Sequence, residues 1–152
     1  MLRNFKFVLV AISIAFAGTT AMTNVQAQEG ARVKDDSAFK AFGEKAGLVK
    51  IMDDFWIGLQ NDKRIKSFFE TTDPVRLKEQ LVEQICEILQ GPCVYKGAKM
   101  GGIHKEMGIN REHFNALVEQ LQIAMDKNKV PFAAQNKLLA VLAPMHRVIV
   151  TE

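Results

Sequence analysis

Apolar residues recur every three or four positions in four stretches of this chain, and no stretch alternates convincingly with period two. Over 45–60 they are Leu48, Ile51, Met52, Phe55, Trp56 and Leu59, one face of a helix. Asn61-Asp62 stops it. A short helical turn over 63–69 then carries Ile65, Phe68 and Phe69 inward. Asp73-Pro74 opens a second helix running to about residue 89: Asp caps, and Pro at the first helical position loses no needed hydrogen bond. Leu77, Leu81, Ile85 and Ile88 form its stripe, with Val82, Cys86 and Leu89 beside it. Asn110 caps a third helix, to about residue 127, whose buried face is Phe114, Leu117, Val118, Leu121 and Met125. Pro131 starts a fourth that reaches about residue 150, with Pro144 kinking it or ending its regular part. A shorter helix is expected over 35–42, capped by Asp36 or Ser37 and ended by Gly43. The chain reads as all-α.

One stretch does not fit this scheme. Residues 95–109 are too rich in glycine for a long helix and too apolar for a solvated loop. Met100 and Ile103 flank His104, which places that imidazole in an apolar setting. A lone histidine is commonly a plain surface or core residue. In apolar surroundings its neutral ring also has a lone pair to give a metal.

The first 27 residues stand apart. A basic start with Arg3 and Lys6, an apolar run over 7–16 and small residues ending at Val25-Gln26-Ala27 make a secretory signal peptide over 1–27. The apolar run is shorter than the about 20 residues a membrane span needs, although an uncleaved anchor is the competing reading. Cleavage lowers the net charge from +3 to +1. The remaining charges are scattered, which excludes a nucleic-acid surface and leaves membrane contact to export alone. The expected location is the periplasm or the exterior. Residues 28–41 are expected as a flexible leader and short first helix, and 42–152 as one domain.

Cys86 and Cys93 are the only cysteines. Outside the cytoplasm they are free to bridge or to stay reduced; the spacing does not decide. No Cys-x-x-Cys-His is present, so covalent c-type haem attachment has no support. Two cysteines and three irregularly spaced histidines make a poor zinc site.

The order of short motifs resembles the group 1 truncated haemoglobins over residues 42–150. It is carried by Asp53-Asp54-Phe55-Trp56, Ile65-Lys66-Ser67-Phe68-Phe69, Thr72 with Arg76-Leu77-Lys78, and Gly91-Pro92. It continues through Tyr95-Lys96-Gly97, Met100 with His104, Gly108-Ile109, His113-Phe114 and Val130-Pro131. The resemblance implies a truncated globin-like two-over-two helical sandwich around haem b (iron protoporphyrin IX), with the haem-binding helix shrunk to a turn. It implies His104 as proximal iron ligand, with Thr72, Tyr95 and Met100 at the haem edge. Phe68, Phe69, Leu77, Leu81, Phe114 and Val118 would be pocket wall. The implied activity is reversible binding of O₂, CO or NO.

The distal side departs from the family. Trp56 stands where a tyrosine is common and Leu81 where a glutamine is frequent. Trp56, beside Phe55, either donates its N–H to bound ligand or fills space. Gln80 or Gln84 reaches the pocket, or stays solvated. The family's glycine pairs appear as Gly43-Glu44 and Gln90-Gly91. Two rivals remain: a haem enzyme (NO dioxygenase or peroxidase) needing an unidentified reductase, and a haem-free interaction module.

Overall fold

The structure is a computed structural model, and it describes residues 30–152. The signal segment over 1–27 lies outside the described residues. Among those described there is no strand, and no helix is long and apolar enough to cross a membrane.

The helices are α1 (Ser37–Ala41), α2 (Glu44–Asn61), α3 (Pro74–Ile88), α4 (Met100–Ile103), α5 (Arg111–Lys127), α6 (Phe132–Leu142) and α7 (His146–Ile149). α2 packs on both α3 and α5, and α6 meets α1 and α3. A 3-10 turn, Lys66–Phe69, bridges α2 and α3. The last helix breaks where Pro144 removes an N–H: a 3-10 turn, Ala143–Met145, separates α6 from α7.

The helix ends follow local chemistry. Asp73 caps α3, its Oδ1 accepting from Val75 N at 2.9 Å and Arg76 N at 3.4 Å. Asn110 caps α5 through a reciprocal pair: its side chain accepts from His113 N at 3.0 Å, and His113 Nδ1 accepts from Asn110 N at 3.3 Å. The expected caps of α1 are corrected. Asp36 makes no side-chain cap bond, and the Asp35 carboxylate, one residue further out, accepts from Ser37 N at 2.9 Å.

α3 and α5 end alike. Gln90 N donates to Glu87 O and Gly91 N to Cys86 O; Lys129 N donates to Asp126 O and Val130 N to Met125 O. The left-handed residue of each motif is not glycine: Gln90 has φ 63° and Lys129 φ 58°. Glycine is needed at Gly91 for another reason. A Cβ there would lie 2.6 Å from the Phe39 ring and 2.7 Å from Cys86 Sγ.

The core joins Leu48, Ile51, Met52, Phe55 and Leu59 of α2 to Val82, Ile85 and Cys86 of α3, Leu121 and Met125 of α5, and Leu138 of α6. α1 adds Ala38 and Phe39. Polar links tie the same helices at the surface: Lys78 pairs with Asp53 at 2.6 Å and Lys127 with Asp54 at 2.6 Å. Where α2 ends, Asp62 accepts from Arg64 at 2.6 Å and from Gln120 at 2.9 Å, and Arg64 also meets Glu119 at 2.5 Å.

Two features exceed the sequence expectation. Cys86 and Cys93 form a disulfide with Cα atoms 5.7 Å apart. Closing so short a loop stabilises by about 2.5 kcal/mol in the chain-entropy account. The leader is held as well. Val33 is buried, its N donates to Ile88 O at 2.9 Å, and its carbonyl accepts from Gln90 Nε2 at 3.1 Å. Arg32 pairs with Glu87. At Arg32 and Val33 the leader expected as flexible meets the end of α3, which offers them an acceptor, a donor and a carboxylate.

Candidate functional site

Two apolar stripes divide between core and void. On α3, Val82, Ile85, Cys86 and Ile88 are buried, while Leu77 and Leu81 on the same helix are only half-buried. On α5, Ala116, Leu121, Ala124 and Met125 are buried, while Phe114, Leu117 and Val118 are half-buried. Helical spacing accounts for the sharing, since 114, 117, 118 and 121 fall on one side at the 3.6-residue period. What these side chains face is a cavity, with about 1290 Å³ of non-atom space including its mouth.

α2 contributes Phe55 and Leu59 to the wall, and the turn after it Phe68 and Phe69. α3 contributes Leu77, Gln80, Leu81, Gln84 and Ile85. Tyr95, Met100, Ile103 and His104 come from the irregular stretch, and Phe114 and Val118 from α5. Phe68, Phe69, Leu77, Leu81, Tyr95, Met100, Phe114, Val118, Phe55, Gln80, Gln84 and His104 thus surround one space.

Two expected residues do not face it. Trp56 is absent from the wall; its ring meets Phe69 edge-on, centroids 6.3 Å apart. One residue along a helix is a 100° rotation, so with Phe55 and Leu59 pointing inward Trp56 falls to the side. Thr72 is also absent from the wall, lying in the turn before α3 with its N donating to Phe69 O at 3.1 Å.

The wall also holds residues the sequence reading passed over. Leu142, Met145 and Ile149 line it, brought round by the break at Pro144. His113 lines it too, its ring 4.9 Å from that of Phe68. The signal for His113 was its place three residues after Asn110, but histidine is an uncommon partner in a capping box, where Glu or Gln is usual.

His104 closes the single turn of α4. Its Nδ1 stands 2.7 Å from Met100 O. A carbonyl oxygen only accepts, so Nδ1 carries the proton and Nε2 keeps its lone pair. Tyr95 is committed otherwise: its hydroxyl donates to Ala98 O at 3.0 Å, and burial holds its phenol above the ordinary pKa. His113 Nδ1 is taken by the Asn110 N–H. Gln84, half-buried on the wall, has no side-chain partner among the described residues, and Gln80 beside it is exposed.

Among the described residues no three His, Cys, Asp or Glu side chains gather as a metal cage. A metal in this cavity has to bring other ligands with it. An imidazole with a free Nε2, on the wall of an open-mouthed apolar cavity, fits an iron porphyrin, whose ring nitrogens supply the remaining in-plane ligands.

Comparison with known proteins agrees with this geometry. Residues 37–151 match the bacterial-like globin family. The chain is 30% identical to a group 1 truncated haemoglobin of Mycolicibacterium paratuberculosis, over 76% of this chain and 85% of that one. A group 1 truncated haemoglobin of Tetrahymena pyriformis is 28% identical over 72% of this chain and 90% of its own length. The crystal structure of truncated haemoglobin from T. pyriformis in the Fe(III) form superposes with a TM-score of 0.72 at 25% identity, covering 76% of this chain and 98% of that one. The 2/2 haemoglobin of Synechococcus sp. PCC 7002 shares the fold, with a TM-score of 0.68 at 18% identity, covering 74% and 97%. An all-helical fold, a cavity with His104 on its wall and these likenesses thus converge on a single conclusion: the chain belongs to the bacterial-like globin family, among the group 1 truncated haemoglobins.

Proposed function

We propose that this protein is a haem b globin that reversibly binds O₂, or CO or NO in its place, with His104 as the proximal ligand. The observation that carries this is the His104 Nδ1–Met100 O bond of 2.7 Å, which fixes the tautomer and leaves Nε2 available on the cavity wall. When bound, haem supplies an iron with one position open to a diatomic gas.

The rest is work for the chain's own side chains. Leu77, Leu81, Phe68 and Phe114 exclude water from the cavity. Gln84 offers an unused amide N–H from α3, and a hydrogen bond in so dry a place is strong. Trp56 supports Phe69 from behind. Tyr95 braces the approach to α4 through Ala98. Both cysteines are taken by the disulfide, so no thiol is left for a thioether bond to haem, which favours haem b over a c-type attachment.

Export to the periplasm or the exterior belongs to the same proposal. The signal pattern over 1–27 supports it, and so does the disulfide, because such bridges persist in oxidising compartments. N-terminal sequencing of the secreted protein tests it; a mature chain that still begins at Met1 rejects cleavage.

The functional test is the visible spectrum of purified protein, oxidised, reduced, and reduced under CO. A Soret band at one haem per chain that shifts with CO is expected. Colourless protein that takes up no added haemin rejects the proposal.

A further inference from the structure

The segment between α3 and α4 has little backbone structure of its own. Between Gly91 and Lys99, whose carbonyl accepts from Gly102 N and Ile103 N of α4, the hydrogen bonds are those of Tyr95: its N donates to Glu87 Oε2 at 3.2 Å, and its hydroxyl donates within the segment to Ala98 O. Yet it supplies Tyr95 to the cavity wall and leads directly into Met100 and His104. What pins it is covalent. Cys86, fully buried in the last turn of α3, holds Cys93 of this segment. The bridge therefore joins one wall of the cavity to the arm that carries the histidine.

We propose that the Cys86–Cys93 disulfide is a redox-set strap on the His104 arm: closed, it keeps the arm against α3 and retains haem; opened, it lets the arm swing and speeds haem release. This rests on the haem reading above. Opening needs a dithiol reductant of the thioredoxin-like class. Its thiolate attacks Cys93 Sγ, the half-buried sulfur, because Cys86 is sealed in the core. The Sγ–Sγ bond breaks, and Cys86 leaves as thiolate and takes a proton. The second thiol of the reductant then attacks the mixed disulfide and frees Cys93. The protein gains two electrons and two protons, and the reductant ends as its own disulfide.

The experiment has two arms. In the first, haemin-loaded full chain is mixed with excess apomyoglobin, and haem transfer is followed for oxidised protein, for protein reduced with a phosphine, and for Cys93→Ser. The last leaves Cys86 packed as a buried thiol. Transfer about tenfold faster in both reduced forms is expected; rates within twofold of the oxidised protein overturn the strap. In the second, amide hydrogen exchange is read on haem-free chain, oxidised and reduced. Faster exchange confined to residues 92–105 is expected. Exchange unchanged there, or raised throughout the molecule, overturns the proposal. If the chain takes up no haemin, the functional reading fails by itself, while the exchange arm still judges the strap.

Discussion

His104 Nδ1 and the carbonyl oxygen of Met100 lie 2.7 Å apart, one helical turn from each other on the same short helix end. The same carbonyl also accepts from the His104 backbone N at 3.2 Å. Ring and backbone are thus held by one acceptor, and the imidazole is oriented before any ligand arrives. His104→Ala is expected to abolish stoichiometric haem uptake with little change in far-ultraviolet circular dichroism. Added imidazole should restore a Soret band. A full-occupancy Soret band without added imidazole would contradict the assignment.

Gln84 and Trp56 are expected to separate in gas kinetics. Gln84 faces the cavity with an unused amide. Its loss in Gln84→Leu should speed O₂ release about tenfold, the effect of one hydrogen bond of about 1.4 kcal/mol. Trp56→Phe should leave the O₂ off-rate within about twofold and cost about 1 kcal/mol of stability through the lost edge contact with Phe69. Stopped-flow O₂ displacement by CO reads both. The reverse ranking would put the indole N–H, and not the amide, at the bound gas.

Much of this architecture was legible in the sequence. The four-and-three spacing of Leu77, Leu81, Ile85 and Ile88 marks the inner side of α3, and Asp73-Pro74 marks its start. His104 stood out because glycines isolate it from any long helix. What periodicity does not reveal is which apolar stripe meets another helix and which meets a void. Periodicity alone puts Phe114, Leu117 and Val118 on one buried face; the family resemblance places Phe114 and Val118 on the pocket wall, and Leu117 lines the cavity with them. Trp56 shows the other limit. Its place in the family's motif points to the distal pocket, but one residue from Phe55 is a 100° turn of the helix, enough to move a side chain out of the site.

The two helix-end motifs predict a gain in stability. Lys129 sits in the left-handed region at φ 58°, where an L side chain costs roughly 1–2 kcal/mol. Lys129→Gly relieves this, partly offset by the greater freedom of glycine in the unfolded chain. The net expectation is about 0.5–1 kcal/mol in favour of the folded state, read as a higher urea midpoint with unchanged slope.

Acid should act through Asp62. The Arg64 guanidinium holds this carboxyl well below the usual carboxylate range, with further hydrogen bonds from the Arg64 backbone and Gln120. A folded-state pKa below the unfolded value of about 3.9 means the native state binds fewer protons. The stabilisation is therefore complete above about pH 4 and fades as pH falls toward the folded value. Asp62→Asn should be less stable than the parent at pH 7, with the gap narrowing at pH 3. Urea denaturation at the two pH values checks this, and a gap that widens in acid would refute it.

The clasp at Val33 separates two frontiers that are easily conflated. Family likeness begins at residue 37, but Val33 already trades hydrogen bonds with Ile88 and Gln90 before that point. A truncation drawn where the likeness starts would keep every recognisable motif. It would also strip the partners from the tail of α3, next to the covalent bridge. Expression boundaries for this protein therefore belong upstream of Arg32.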